Sequence, residues 1–173
     1  MKRQVFPLSL DEKVERIKHL DLEPIKFKIV EGGEEGLGWT IEKADRVELE
    51  YKNFLILNLK NRLNGRLPSI VPTKEVDQFW HKHILDTLKY AEDCDFCLGF
   101  FLHHFPYLGL RGAEDAQLLV DCFEQTKTYY LEEFGHELLA SAGDCDAVQC
   151  APIQSCASEY AKKGILDHPG LVR

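Results

Sequence analysis

Residues 75–109 read EVDQFWHKHILDTLKYAEDCDFCLGFFLHHFPYLG, and this stretch decides the fold and shows where to look for a function. It holds four of the seven histidines, two of the six cysteines and one of the two tryptophans, so the chemistry of the chain is concentrated here. Pro72 favours an extended entry, and Thr73 is a side-chain cap for a helix that follows it. The spacing predicts one helix from Thr73 to Cys97 or Leu98, closed by Gly99. After it, FFLHHFPYLGLRG reads as a short helical turn or loop, with Pro106, Gly109 and Gly112 as breakers.

On the N-terminal side, Thr40 caps a second long helix that runs to about Leu63. Val47, Tyr51, Phe54, Leu55, Ile56, Leu57 and Leu59 give it more apolar surface than one stripe needs, so it should be buried on more than one side. Asn64-Gly65 and Pro68 end it. Ser9-x-x-Glu12 is a capping box that starts the first helix, with Leu10, Val14, Ile17 and Leu20 as its apolar stripe. Pro24 follows that helix, and FKIV at 27–30 is the best strand signal in the chain. The glycines at 32, 33, 36 and 38 lack any phosphate-loop pattern and read as a flexible connection.

On the C-terminal side, Ala116, Leu119, Val120, Phe123, Tyr130, Leu131, Phe134 and Leu138 recur at helical spacing and predict a helix from about Ala113 to Leu139. The tail SAGDCDAVQCAPIQSCAS has loop composition, with Cys145, Cys150 and Cys156 and one short helix near 158–165. The expected architecture is all-α: a single-domain bundle of about four main helices over residues 1–140, with an irregular cysteine-containing tail at 141–173, packed on or trailing from it.

Composition narrows the function classes. Asp plus Glu number 29 against 21 Lys plus Arg, for a formal net charge of −8, and no basic cluster offsets it, which argues against a nucleic-acid partner. No apolar run reaches the roughly 18–20 residues that span a bilayer, so no membrane partner is expected. MKRQVFPLSLDEK is too short in its apolar part for a signal peptide, which places the chain in the cytoplasm with reduced thiols.

On a helical wheel with His83 at zero, Val76, Phe79 and Trp80 lie within about 60°, so His83 faces the core. Asp86, Thr87, Tyr90 and Cys94 fall on the same face. A buried run of this kind needs internal partners or an ion, because each unsatisfied group costs about 1–3 kcal/mol. His81 lies about 160° away, beside Asp77, Leu88, Glu92 and Asp95, so the two histidines cannot grip one ion. His81 is expected at the surface or reaching a second element. His103 and His104 are the candidates to fold back toward Tyr90 or Cys94. The expected metal ligands are therefore His83, Cys94, His103 and His104, with Zn or Fe as the cofactor. Asp86, Tyr90 and His81 are the candidates for catalysis, Asp86 also as an orienter of a ligand histidine. A metal-free reading of the same polar groups, as satisfied core residues or as a catalytic His/Asp/Cys set, stays open at this point. Cys94-x-x-Cys97 lies near a helix C-terminus beside Asp93 and Asp95, where a thiolate is disfavoured, which argues against thioredoxin-type chemistry. His136 and His168 are isolated.

Three runs of residues carry a resemblance: Val76-Asp77-x-x-Trp80-His81-x-His83-Ile84, Tyr90-x-x-Asp93-Cys94, and Gly99-x-Phe101-Leu102-His103-His104-x-Pro106-Tyr107. Here the chain resembles the glycine-rich domain-containing-like family, and the cysteine-bearing tail is similar to that of its short bacterial members. The resemblance implies a helical domain and no settled activity. It adds weight to a functional site, because the polar positions are those of the motif. Two functions follow as expectations. One is a metal-binding helical protein acting as a metal-dependent enzyme of small-molecule metabolism, with a small-molecule substrate. The other is a non-catalytic module that binds a protein partner, in which the polar motif is structural. A thiol redox protein is the third reading.

Overall fold

The computed structural model describes residues 8–33, 36–65, 69–139 and 151–152. Ser9 forms the expected capping box: its hydroxyl accepts the Glu12 N–H, and the Glu12 carboxylate accepts the Ser9 N–H at 2.8 Å. Helix α1 (Leu10–Lys18) follows. Helix α2 (Glu23–Val30) takes up the segment 27–30 that carried the best strand signal, in keeping with the all-α expectation. Pro24 sits in its first turn, where its missing N–H is no loss. Ile25 and Ile29, four residues apart, are both buried on one face, so helical burial overrides the β-propensity of the segment. Lys26 bridges α2 to the next helix, its amine within 2.6–2.9 Å of Glu23, Asp45 and Glu48.

Helix α3 (Ile41–Leu63), capped by the Thr40 hydroxyl, is the central element and packs on the first, second, fourth and last helices. Its buried residues include Ala44, Val47, Tyr51, Leu55 and Leu59, spread round more than one side as its composition requires.

The largest departure lies in the stretch expected to be one helix from Thr73. It is broken at Asp86. Helix α4 (Lys74–Leu85) starts on the Thr73 cap and stops there; α5 (Thr87–Asp93) starts afresh. Asp86 adopts φ −82°, ψ 75°, and its carboxylate accepts the Lys89 N–H at 3.3 Å. A short acidic side chain that can cap a new first turn competes with continuation of the old helix. Helix α5 then widens into a π-helical turn (Cys94–Leu98), in which the Gly99 N–H reaches the Cys94 carbonyl at 3.0 Å. Gly99, at φ 77°, ends it as expected, because the left-handed region favours glycine.

Strand β1 (His104–Phe105) pairs antiparallel with β2 (Ala151–Pro152), with His104 opposite Pro152. Helix α6 (Ala113–Phe134) ends at Gly135, at φ 73°, rather than at Leu139. The tail cysteines Cys145, Cys150 and Cys156, His168 and the short helix expected near 158–165 lie outside the described residues. The protein is a mostly helical bundle, as expected. No helix among the described residues is long and apolar enough to cross a membrane.

Two apolar clusters hold it together. The main one joins Ile17, Leu22 and Ile29 to Tyr51, Leu59, Phe79, Trp80, Tyr90 and Leu98. The second, of Val71, Phe105, Leu108, Leu119, Cys122 and Phe123, seats the segment after β1 on α6.

Candidate metal centre

Helix α4 presents two unlike faces. Trp80 and His83 point inward, with Trp80 0% and His83 1% exposed. Asp77 and His81, one turn apart, share the opposite, outer face. After Gly99 the chain turns back along α4, and His104 arrives against it: its ring lies 4.7 Å from that of Trp80 and 4.5 Å from that of His81.

Three ligand atoms converge there. His81 Nε2 lies 2.8 Å from His104 Nε2. His104 Nε2 is 3.3 Å from Asp77 Oδ1, and His81 Nε2 is 3.6 Å from Asp77 Oδ2. Asp77, His81 and His104 are the one group of three such residues among those described whose ligand atoms lie within 4.8 Å of one another. The carboxylate and the His104 ring are mostly buried, whereas the His81 side chain is 46% exposed, so one side of the cluster opens to solvent. Burial lowers the pKa of His81, and His104 and Lys82 push the same way against the opposing charge of Asp77. The ring is thereby biased toward the neutral form, which has a lone pair to offer.

A divalent cation would satisfy all three lone pairs. Ligands about 2.1 Å from a common ion stand about 3.0 Å apart at right angles and about 3.4 Å apart at tetrahedral angles, a range the observed separations straddle.

The residues expected as ligands divide. His104 joins the cluster, and so does His81, which was expected at the surface or reaching a second element and does the latter. His83, Cys94 and His103 do not join it. His83 faces the core, where both ring nitrogens are taken: Nδ1 lies 2.9 Å from the Tyr51 hydroxyl and Nε2 lies 2.9 Å from Asp93 Oδ2. Burial raises the Asp93 pKa, but hydrogen bonds from His83 and Lys89 outweigh it and hold the carboxyl below its usual range. Burial drives the Tyr51 hydroxyl well above the ordinary tyrosine value.

Cys94 is buried beside the Leu102 backbone and the Tyr90 hydroxyl, and burial raises its pKa. Cys97 is pushed up to about 12 by burial and by the charge of Asp93. Neither thiol has the lowered pKa of a redox cysteine. His103 is exposed, its ring 4.7 Å from that of Phe101 and tilted to it, while its neighbour His104 points the other way along an extended chain. Asp86, a candidate for catalysis, is spent as the cap between α4 and α5. Tyr90, another, is buried between Trp80 and the Leu102 carbonyl.

Sequence reasoning set aside two residues whose roles the structure defines. Asp77 had been placed beside His81, and the i, i+4 spacing of an aspartate and a histidine on one helix was the available signal. Asp93 was marked only by its place in the Tyr90-x-x-Asp93-Cys94 run, because the break at Asp86 alters the helical phase that would relate it to His83.

A family model described as UCP032817-like matches residues 12–124 of the chain. The chain belongs to the UCP032817-like family. That span contains most of α1, all of α2 to α5, β1 and the whole Asp77/His81/His104 cluster, so the candidate centre lies within the matched region. The family is uncharacterised and brings no activity with it. No curated protein and no solved structure matches the chain.

Proposed function

We propose that the protein binds a divalent transition metal through Asp77, His81 and His104, and that the centre is of the open kind that serves small-molecule chemistry. The convergence of two imidazole nitrogens and one carboxylate supports this reading. Two histidines and a carboxylate leave coordination positions for water or substrate, as catalytic centres do and closed structural ones do not. Zn and Fe both suit this donor set of two imidazoles and one carboxylate. Bound there, the metal would polarise a substrate oxygen or lower the pKa of a water.

The reading keeps part of the structural alternative, since His83, Tyr90 and Cys94 are satisfied within the core. It includes a cytoplasmic setting, supported by the buried thiols of Cys94 and Cys97, which form no disulfide. It also includes kinship with the glycine-rich domain-containing-like proteins, a reading that rests on the resemblance of the runs 76–84, 90–94 and 99–107.

Elemental analysis of protein purified without added metal tests the proposal, followed by titration with Fe²⁺ under anaerobic conditions and with Zn²⁺. About one metal per chain is expected, lost in His81→Ala and in His104→Ala and retained in His103→Ala. A stoichiometry far below one, or one that His81→Ala and His104→Ala leave unchanged, refutes it.

A further inference from the structure

The structure assigns Tyr90 as the positioning residue of this centre: by holding the Leu102 backbone it sets where His104 meets His81 and Asp77. The inference rests on the metal reading above and gives the inward polar stripe a role in it.

Two of the three ligands come from one turn of α4, and their relative placement follows from the helix. His104 has no such frame. It arrives on an extended segment after a left-handed glycine; β2 pairs with it and Phe105 anchors it beyond His104, and on the side before His104 the chain from Gly99 has to be fixed from outside the segment. Leu102, two residues before His104, is where the chain is gripped. The Tyr90 hydroxyl donates to the Leu102 carbonyl. That hydroxyl is itself oriented: it accepts the Trp80 indole N–H at 2.9 Å, which leaves its single proton for Leu102. The Cys94 thiol, one turn further on, also meets the Leu102 backbone. Trp80 completes the arrangement. The indole that orients Tyr90 also walls the His104 ring, at 4.7 Å and steeply inclined to it, and lies in α4 between the two helical ligands.

Residues that orient a metal ligand without touching the ion typically change affinity by about 10–100-fold when they are lost. Tyr90→Phe keeps the ring in its place among Trp80, His83 and Phe101 and removes the hydroxyl alone. Co²⁺ is the probe, titrated into the full chain and followed by visible absorption and by the cobalt-shifted imidazole N–H signals in proton NMR. Wild type is expected to show two such signals. Tyr90→Phe is expected to bind about 10–100-fold more weakly, with a changed absorption spectrum and one of the two signals weakened or lost. Ile29→Val, a core truncation in α2, should cost stability and leave the affinity and both signals as they were. A folded Tyr90→Phe that binds Co²⁺ with wild-type affinity and spectrum overturns the inference. If Tyr90→Phe does not fold, Trp80→Phe removes the donor that orients the hydroxyl, and the same spectral change is expected; an unchanged spectrum there overturns it equally. Failure of the wild type to bind Co²⁺ overturns the metal reading itself. Binding lost in His104→Ala but intact in Tyr90→Phe refutes only the positioning role.

Discussion

Tyr51→Phe separates the two histidines of α4 by function. The Tyr51 hydroxyl and His83 Nδ1 are 2.9 Å apart, with Tyr51 0% and His83 1% exposed, so water has no access to replace either partner. Phenylalanine keeps the ring, and its packing 5.2 Å from the ring of Phe79, and removes only the donor. His83 cannot turn to find another partner, because Nε2 is held by Asp93. The variant therefore leaves one buried acceptor unsatisfied, at a cost of about 1–3 kcal/mol. For a chain of this length each kcal/mol moves the melting temperature by about 2–4 °C, so a cost near 2 kcal/mol predicts a fall of about 4–8 °C. Thermal unfolding followed by circular dichroism, with and without saturating Co²⁺, measures it. The fall should be the same size in both conditions, and Co²⁺ affinity should be unchanged, because His83 is bonded within the core and lies outside the proposed centre. A variant as stable as wild type would show that this bond is not made. A variant that loses metal would return His83 to the ligand set.

Two more outcomes follow from the same network. Asp86→Ala should cost about 1 kcal/mol by removing the cap between α4 and α5, and Asp86→Asn should restore it, since asparagine caps about as well; urea denaturation of the pair distinguishes a capping residue from a catalytic one. Asp93 has a lowered pKa in the folded protein, so its contribution is present above the ordinary carboxyl range and is lost as pH falls through the lowered value. Asp93→Asn should accordingly be less stable than wild type near neutrality and converge with it in acid, as read from denaturation midpoints across pH; parallel curves would contradict the assignment.

How much of this was legible beforehand varied with the range of the interaction. The Ser9, Thr40 and Thr73 caps and the stops at Gly65 and Gly99 are decided within a few residues, and the boundaries they mark came out where local chemistry placed them. The strand signal at 27–30 gave way to a helix because β-propensity is a weak preference that burial against a neighbouring helix reverses. The single helix expected from Thr73 failed at Asp86, where capping of a new turn competed with an unbroken apolar pattern. That error moved the site. Carrying one helical phase through the break joined His83 to Cys94 as ligands, when the structure uses them as core groups with Tyr51, Asp93 and Leu102 as partners.

The sequence by itself determined that the chain is helical, that its chemistry gathers at residues 75–109, and that His81 and His83 face apart, because a helix of known pitch leaves no alternative for residues two apart. Only the tertiary structure decided which of them met a second element. His104 reaches His81 because the chain reverses after Gly99 and is held at Leu102 by Tyr90, a residue on a different helical segment, and side-chain spacing along one element carries no information about where another will land on it. The partners of His83 were hidden for the same reason: Tyr51 is 32 residues away and meets it only because α3 and α4 pack together.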